Sequence, residues 1–269
     1  MAVRIALWAV LVLVLTLLAA QVWLARSFGS RIAAAEARLL ALPPGAIRSD
    51  LPPPVEAFAR RAGATGTPRA VVATQTARLR SGPDAAFATY EARQISSVAA
   101  AGFVWDAAQR IGPLNVVRVV DQYVAGEGLL EARLLGAIPV ARGSGPDVAL
   151  GEALRYLAEL PWTPDAILAN RSVAWRLLPD GRAEARLDTV AGPAVVRFAF
   201  DEAGDIVAME APARPVAGSS EPMEWRGRFW DYRMVGPRRI PARGAVGYVY
   251  PTGYADYFEG EVTSYALVE

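Results

Sequence analysis

From Ile5 to Ala25 the chain reads IALWAVLVLVLTLLAAQVWLA, an apolar run without a charged residue. At about 1.5 Å per residue a helix of this length crosses a hydrocarbon core of about 30 Å. Trp8 and Trp23, near its two ends, suit the headgroup levels. The pattern predicts a short tail over 1–4 and a transmembrane anchor over 5–26. A cleaved secretory signal is the rival, but its apolar core is usually about 7–15 residues long and a small-x-small site follows closely. Here Arg26, Ser27 and Phe28 follow instead, and the first such pair, Ala33 and Ala35, lies far downstream. Retention of the anchor is the expectation.

Residues 27–50 read as a helical, Pro-rich linker. SRIAAAEARLLA (30–41) continues the helix until Leu42-Pro-Pro-Gly45 ends it. Pro52-Pro-Pro54 then opens a short helix through VEAFARRAG, with Gly63 as its stop. Beyond Thr67 the periodicity changes to two. In RAEARLDT (182–189), Arg182, Glu184, Arg186 and Asp188 share one face while Ala183, Ala185, Leu187 and Thr189 share the other. Pro179-Asp-Gly181 and Asp201-Glu-Ala-Gly-Asp205 join this strand's neighbours by short turns. Runs 69–80, 85–98, 102–111, 115–125 and 128–138 read as earlier strands, and 223–235, 240–250 and 256–268 as later ones. About a dozen strands without alternating helices predict a mainly β fold: one domain over 51–269, a curved antiparallel half-barrel or open barrel with one or two short helices on or in its mouth.

GEALRYLAELPW (151–162) stands apart. At 100° per residue, Leu150, Ala153, Leu154, Leu157 and Leu160 fall in one arc, with Glu152, Arg155 and Glu159 opposite and Arg155 placed to pair with Glu159. The apolar arc must bury against the concave face of the sheet. The plain reading is a core helix; the alternative is a lid over a site. In MEWRGRFWDYRMV (223–235) the alternation inverts after Phe229, which predicts a bulge, corner or sheet switch near Phe229-Trp230. In GFVWDAAQRIGPL (102–114), Phe103 and Trp105 share a face and Asp106 points away.

Composition narrows the chemistry. Net charge is +1, with arginines spread along the chain, so no footprint for nucleic acid exists. Cysteine and histidine are absent and every basic side chain is arginine. Thiolate nucleophiles, imidazole bases, the usual zinc sites, Schiff bases and phosphate-loop lysines are thereby excluded. Carboxylates, Tyr and Ser/Thr remain. Asp106, Asp121, Glu127, Glu131, Asp188, Asp231, Glu259 and Glu261 are equally eligible, with no fixed spacing to pair any two, and solvated or arginine-paired roles are expected for most. No catalytic residue, metal ligand or cofactor is assigned.

The islands GFVWDA at 102, IGPL at 111, LLEARLLG at 129, GEALRYLAELPW at 151 and WRGRFWDY at 225 resemble an uncharacterised bacterial protein family of unknown function, over roughly residues 50–268. The strand series with one inserted helix is similar, more loosely, to LolA/LolB-like lipoprotein carriers, whose half-barrels hold acyl chains; that likeness implies an apolar or lipid-like ligand in the bacterial envelope. Phe103, Trp105, Tyr123, Leu154, Leu157, Trp162, Trp175, Trp225 and Phe229 are the candidates for the cavity lining. A protein-interaction domain without small ligand and a carboxylate-dependent hydrolase are the alternatives. The anchor places the chain as a single-pass protein of the inner (cytoplasmic) membrane. Arg4 before the span against Arg26, Arg31 and Arg38 after it favours a cytoplasmic domain. The carrier likeness favours the extracytoplasmic side, to which the expectation leans.

Overall fold

The structure, a computed structural model, describes residues 1–269 apart from Pro113, Ala217, Gly218 and Ser220. Pro113, within the IGPL island, thus lies outside the described residues. Two helices come first, α1 (Ala2–Leu40) and α2 (Pro53–Arg61). Six strands follow: β1 (Ala70–Leu79), β2 (Ala88–Ser97), β3 (Phe103–Ile111), β4 (Leu114–Val124), β5 (Glu127–Leu134) and β6 (Ile138–Ser144). A helical crossover comprises α3 (Pro146–Ala158), a 3-10 turn at Leu160–Trp162 and α4 (Pro164–Ala169). The chain ends with β7 (Ala174–Leu177), β8 (Ala183–Thr189), β9 (Gly192–Phe200), β10 (Ile206–Arg214), β11 (Met223–Val235), β12 (Arg238–Tyr250) and β13 (Gly253–Val268).

These strands form one open, curved, antiparallel sheet in the order β6-β5-β4-β3-β2-β1-β13-β12-β11-β10-β9-β8-β7. Its first and last strands pair at the centre, Ala70 opposite Val268 and Leu79 opposite Phe258. The two outer edges are therefore joined only through the crossover, which lies against the concave face. There α3 touches β4, β5 and β6 of one wing and β8, β9 and β10 of the other. Contact is close: a Cβ on Gly128 of β5 would stand 2.6 Å from the backbone N of Ala149. The main core fills this concavity, with Phe103, Leu154, Leu157, Ile167, Phe198 and Trp225 fully buried.

A smaller core lies on the opposite face. Phe28, Ile32, Ala35 and Leu39, one stripe of α1, pack on Ala70, Ile95, Val104, Val120 and Val124. The apolar half of α1 projects from the domain unburied. It is long and apolar enough to serve as a single-pass membrane anchor, and it runs without a break into the docked half.

Three elements differ from the sequence reading. The run taken as one strand over 128–138 is β5 plus a turn, and β6 is an additional strand. The crossover helix starts at Pro146, whose fixed φ suits a first turn, and a second helix, α4, follows Pro164. The expected inversion in β11 is only local: Asp231 takes the left-handed region at φ 59°, Tyr232 turns to the core, but Trp230 and Met234 are exposed and Val235 is buried in phase with Phe229. Trp230 faces Arg243 and Tyr232 faces Pro241, so the register is the same on both sides and no residue is inserted. One left-handed residue re-aims the strand: Trp225 and Phe229 stay in the concave core, while Tyr232 meets Phe58 of α2 edge-on at 6.2 Å.

The far end of the concavity is closed by a buried ion pair. Asp165 of α4, with no exposed surface, accepts Arg238 Nε at 2.7 Å and Nη2 at 2.9 Å, and the backbone N–H groups of Thr65 and Gly66 at 2.8 and 2.9 Å. Burial alone would push this carboxyl up, but these donors hold it below its ordinary range. Asp165→Ala leaves Arg238 buried without its counter-ion. The expected cost is about 3–5 kcal/mol, read as a lowered urea midpoint of the full chain in detergent.

Candidate functional site

Trp162, at the end of the 3-10 turn, is the pivot of the concave side. Its Nε1 donates to Pro241 O at 2.8 Å and its ring meets Phe229 edge-on at 5.8 Å. Gly244 and Gly260 lie opposite each other on β12 and β13 and make its seat. A Cβ on Gly244 would stand 2.8 Å from the indole.

Beside this ring a cavity of about 210 Å³ is left unfilled. Its apolar wall comes from Leu79, Trp105, Val246, Tyr248 and Phe258 together with Trp162, Trp225 and Phe229. Charged residues complete the lining: Asp121 of β4, Glu152, Arg155 and Glu159 of α3, and Arg214 at the end of β10. The arc of α3 that sequence periodicity sets opposite the leucines is therefore turned towards the cavity. Since α3 is enclosed by both wings, this polar arc is buried as well.

Arg155 is fully engaged. It donates through Nε to Glu159 at 2.8 Å, through Nη1 to Asp121, and through Nη2 to Gln94 at 3.3 Å, and it stacks on Phe103 and Trp105. Arg214 is engaged less. Nη1 donates to the Tyr257 hydroxyl at 2.6 Å and the guanidinium stacks 4.3 Å from the Trp225 ring centre. Among the described residues, the only carboxylate within 4.0 Å of it is Glu152, at that limit. Four buried polar atoms of the lining residues have no hydrogen-bond partner: Asp121 Oδ1, Glu152 Oε2, Arg214 Nε and Trp225 Nε1.

Burial, and then the neighbouring Asp121 carboxylate, push Glu152 well above its ordinary value. Two of the four orphaned atoms are N–H donors, Arg214 Nε and Trp225 Nε1. Burial also raises Tyr257 to about 12, so its hydroxyl stays protonated.

The candidate lining residues divide. Trp105, Trp162, Trp225 and Phe229 are brought together around the cavity. Phe103, Tyr123, Leu154 and Leu157 are buried in the core outside its wall, and Trp175 packs on Phe198 at 5.8 Å. Charged and late-strand residues were not foreseen: Arg214, Glu152, Tyr248, Tyr257 and Phe258. Alternation along β13 would set Tyr257 and Phe258 on opposite faces, but a bulge at Tyr257, where Val246 pairs with Phe258 and Gly247 with Asp256, lets both reach the cavity. Among the other carboxylates, Asp106 takes a bidentate pair from Arg118 at 2.8 and 2.7 Å, and Glu131 is held by Arg133 and Arg31.

An open antiparallel sheet folded around its own crossover helix defines the architectural class. The chain belongs to a family of unknown function (DUF6544), whose profile matches residues 45–260. No curated protein matches it. Among solved structures it is similar to a LolA superfamily protein from Nitrosomonas europaea, at 13% identity over 80% of this chain and 94% of that one, TM-score 0.45. It is also similar to a DUF1329 family protein from Desulfovibrio piger, at 8% identity over 79% and 91%, TM-score 0.45. At these values the likeness is one of chain trace, and the functional reading rests on the cavity.

Because Glu152 favours its proton more in the folded state than in the unfolded one, its contribution to stability is complete below its ordinary value near 4.5 and is lost as pH rises through the raised folded value. Glu152→Gln keeps the neutral shape. The variant is expected to gain stability over the natural chain as pH rises above 4.5, seen as a growing difference in urea midpoint.

Proposed function

We propose that this protein is a membrane-anchored binding protein for a single-chain amphiphile, held between the wings of the sheet. The observation that carries the reading is a cavity lined by aromatic rings that also holds two buried, unsatisfied N–H donors, Arg214 Nε and Trp225 Nε1. Its 210 Å³ exceeds the roughly 150 Å³ of an apolar cavity that takes benzene and is below the roughly 300 Å³ of a drug-sized site. It therefore suits part of one alkyl chain. Arg214 Nε and Trp225 Nε1 ask for an oxygen acceptor, and Arg214, without a carboxylate in hydrogen-bond contact, favours an anionic one. On this reading the domain lies on the extracytoplasmic face of the inner membrane; protease added to spheroplasts is expected to digest it, and a domain left intact overturns the placement.

The ligand test uses the full chain in nanodiscs with 11-bromoundecanoate and 11-bromoundecanol, whose bromine quenches the cavity tryptophans. Saturable quenching by both is expected, with the acid preferred. Ala158→Phe, which fills the cavity from α3, abolishes it while the far-ultraviolet spectrum is kept. Arg214→Met loses about 10- to 100-fold in affinity for the acid and keeps the alcohol. Absence of saturable quenching in the natural chain would overturn the reading.

A second reading rests on two neighbouring carboxyls beside the same cavity, Asp121 and Glu152, the second holding its proton more firmly than usual because of burial and that neighbour. Such a pair suits acid–base hydrolysis of an acyl ester. Turnover of p-nitrophenyl decanoate that disappears in Glu152→Gln supports it; binding without turnover removes it.

A further inference from the structure

We infer that the β3–β4 and β5–β6 hairpin tips enter the bilayer surface beside α1, so that the domain rests on the membrane at the end nearest its cavity. This rests on the reading of α1 as a membrane anchor. The β5–β6 turn already touches the end of the apolar run: Gln21 Nε2 donates to Leu135 O at 2.9 Å, and a Cβ on Gly136 would lie 3.4 Å from that of Ala25. A span that begins near Ile5 reaches the far interface at about residue 25, since about 20 residues cross the hydrocarbon. Leu135 and Gly136 thus lie at the level where lipid headgroups meet acyl chains.

The side chains there fit that medium. Ile111 is 67% exposed and Leu135 45%, and Leu114, Leu134, Ile138 and Val140 are exposed with them. Ile111 pairs with Leu114, and Val117 with Leu134, so both tips are at one end of the sheet. On this wing, the β4–β5 turn at the opposite end is Ala125-Gly126. Arg26, Arg110 and Arg142, all exposed, flank the apolar tips and suit anionic headgroups. An exposed apolar patch rimmed by polar residues and continuous with a spanning helix has the bilayer as its nearest partner. Antiparallel alternation puts the C-terminal end of β1, with the cavity residue Leu79, at this same end. An alkyl chain would then pass between bilayer and cavity over a short path.

The absence of cysteine makes the test clean. Single-cysteine variants Ile111→Cys, Leu135→Cys and Ile138→Cys carry the fluorophore NBD in vesicles of phosphatidylcholine and phosphatidylglycerol containing doxyl-labelled lipid. Leu18→Cys reports on the anchor, and Glu202→Cys, on the β9–β10 turn at the opposite end, is the water-exposed control. The inference expects blue-shifted emission and loss of most fluorescence to doxyl at the three tip sites, with Glu202→Cys unaffected. Tip sites no more quenched than Glu202→Cys, while Leu18→Cys is quenched, overturn the inference and leave the anchor standing. Quenching absent at Leu18→Cys as well overturns the anchor itself. Tips shielded from aqueous iodide but not quenched by doxyl mean that protein covers them, which also overturns the bilayer contact.

Discussion

The constraint on which the rest depends is the pairing of β1 with β13. When the first and last strands of an antiparallel series meet in the middle of the sheet, its two edges belong to consecutive strands, β6 and β7, which lie far apart in space. The crossover between them must traverse a face. With the apolar arc of α3 available, the concave face is the one where that arc is removed from water, and the wings curl until both touch it. Beyond its first turn the helix is therefore mostly core. Its polar arc is largely withdrawn from solvent, with Glu152 buried and Arg155 and Glu159 each 13% exposed.

Buried charge of this kind is costly unless it is paired and hydrogen-bonded. Arg155 meets that condition with two carboxylates and Gln94. Arg214 does not: a tyrosine hydroxyl and the face of Trp225 are its close partners among the described residues. Leucines would fill the same space at lower cost, and the proposed ligand would supply a reason for the polarity. The apolar half of α1 and its docked half form one continuous helix, so if the apolar half spans a membrane as proposed, the orientation of this cavity relative to it is built into the fold.

Much was legible in the chain itself. The apolar run over 5–26 and the period-2 stretches identify themselves because neighbours along the chain set those patterns. The leucine arc of α3 required a concave partner, and the inversion after Phe229 required a backbone irregularity, found two residues on at Asp231. Trp105, Trp162, Trp225 and Phe229 could be nominated because large rings on inward faces must meet somewhere.

Which rings border space and which border one another was not legible. Alternation assigns a residue to a face, but says nothing about the wing or the level along it. Phe103 and Trp105 share a face of β3 two residues apart, yet only Trp105 reaches the cavity. Arg214, at the strand end before Pro215, belongs to no pattern, and Glu152 reads as a solvent residue on any helical wheel. Sequence determined the elements and their apolar faces, because those follow from local periodicity. Tertiary structure alone decided that a polar arc would be sealed beside an arginine about sixty residues downstream, because that contact depends on how far two distant wings close around one helix.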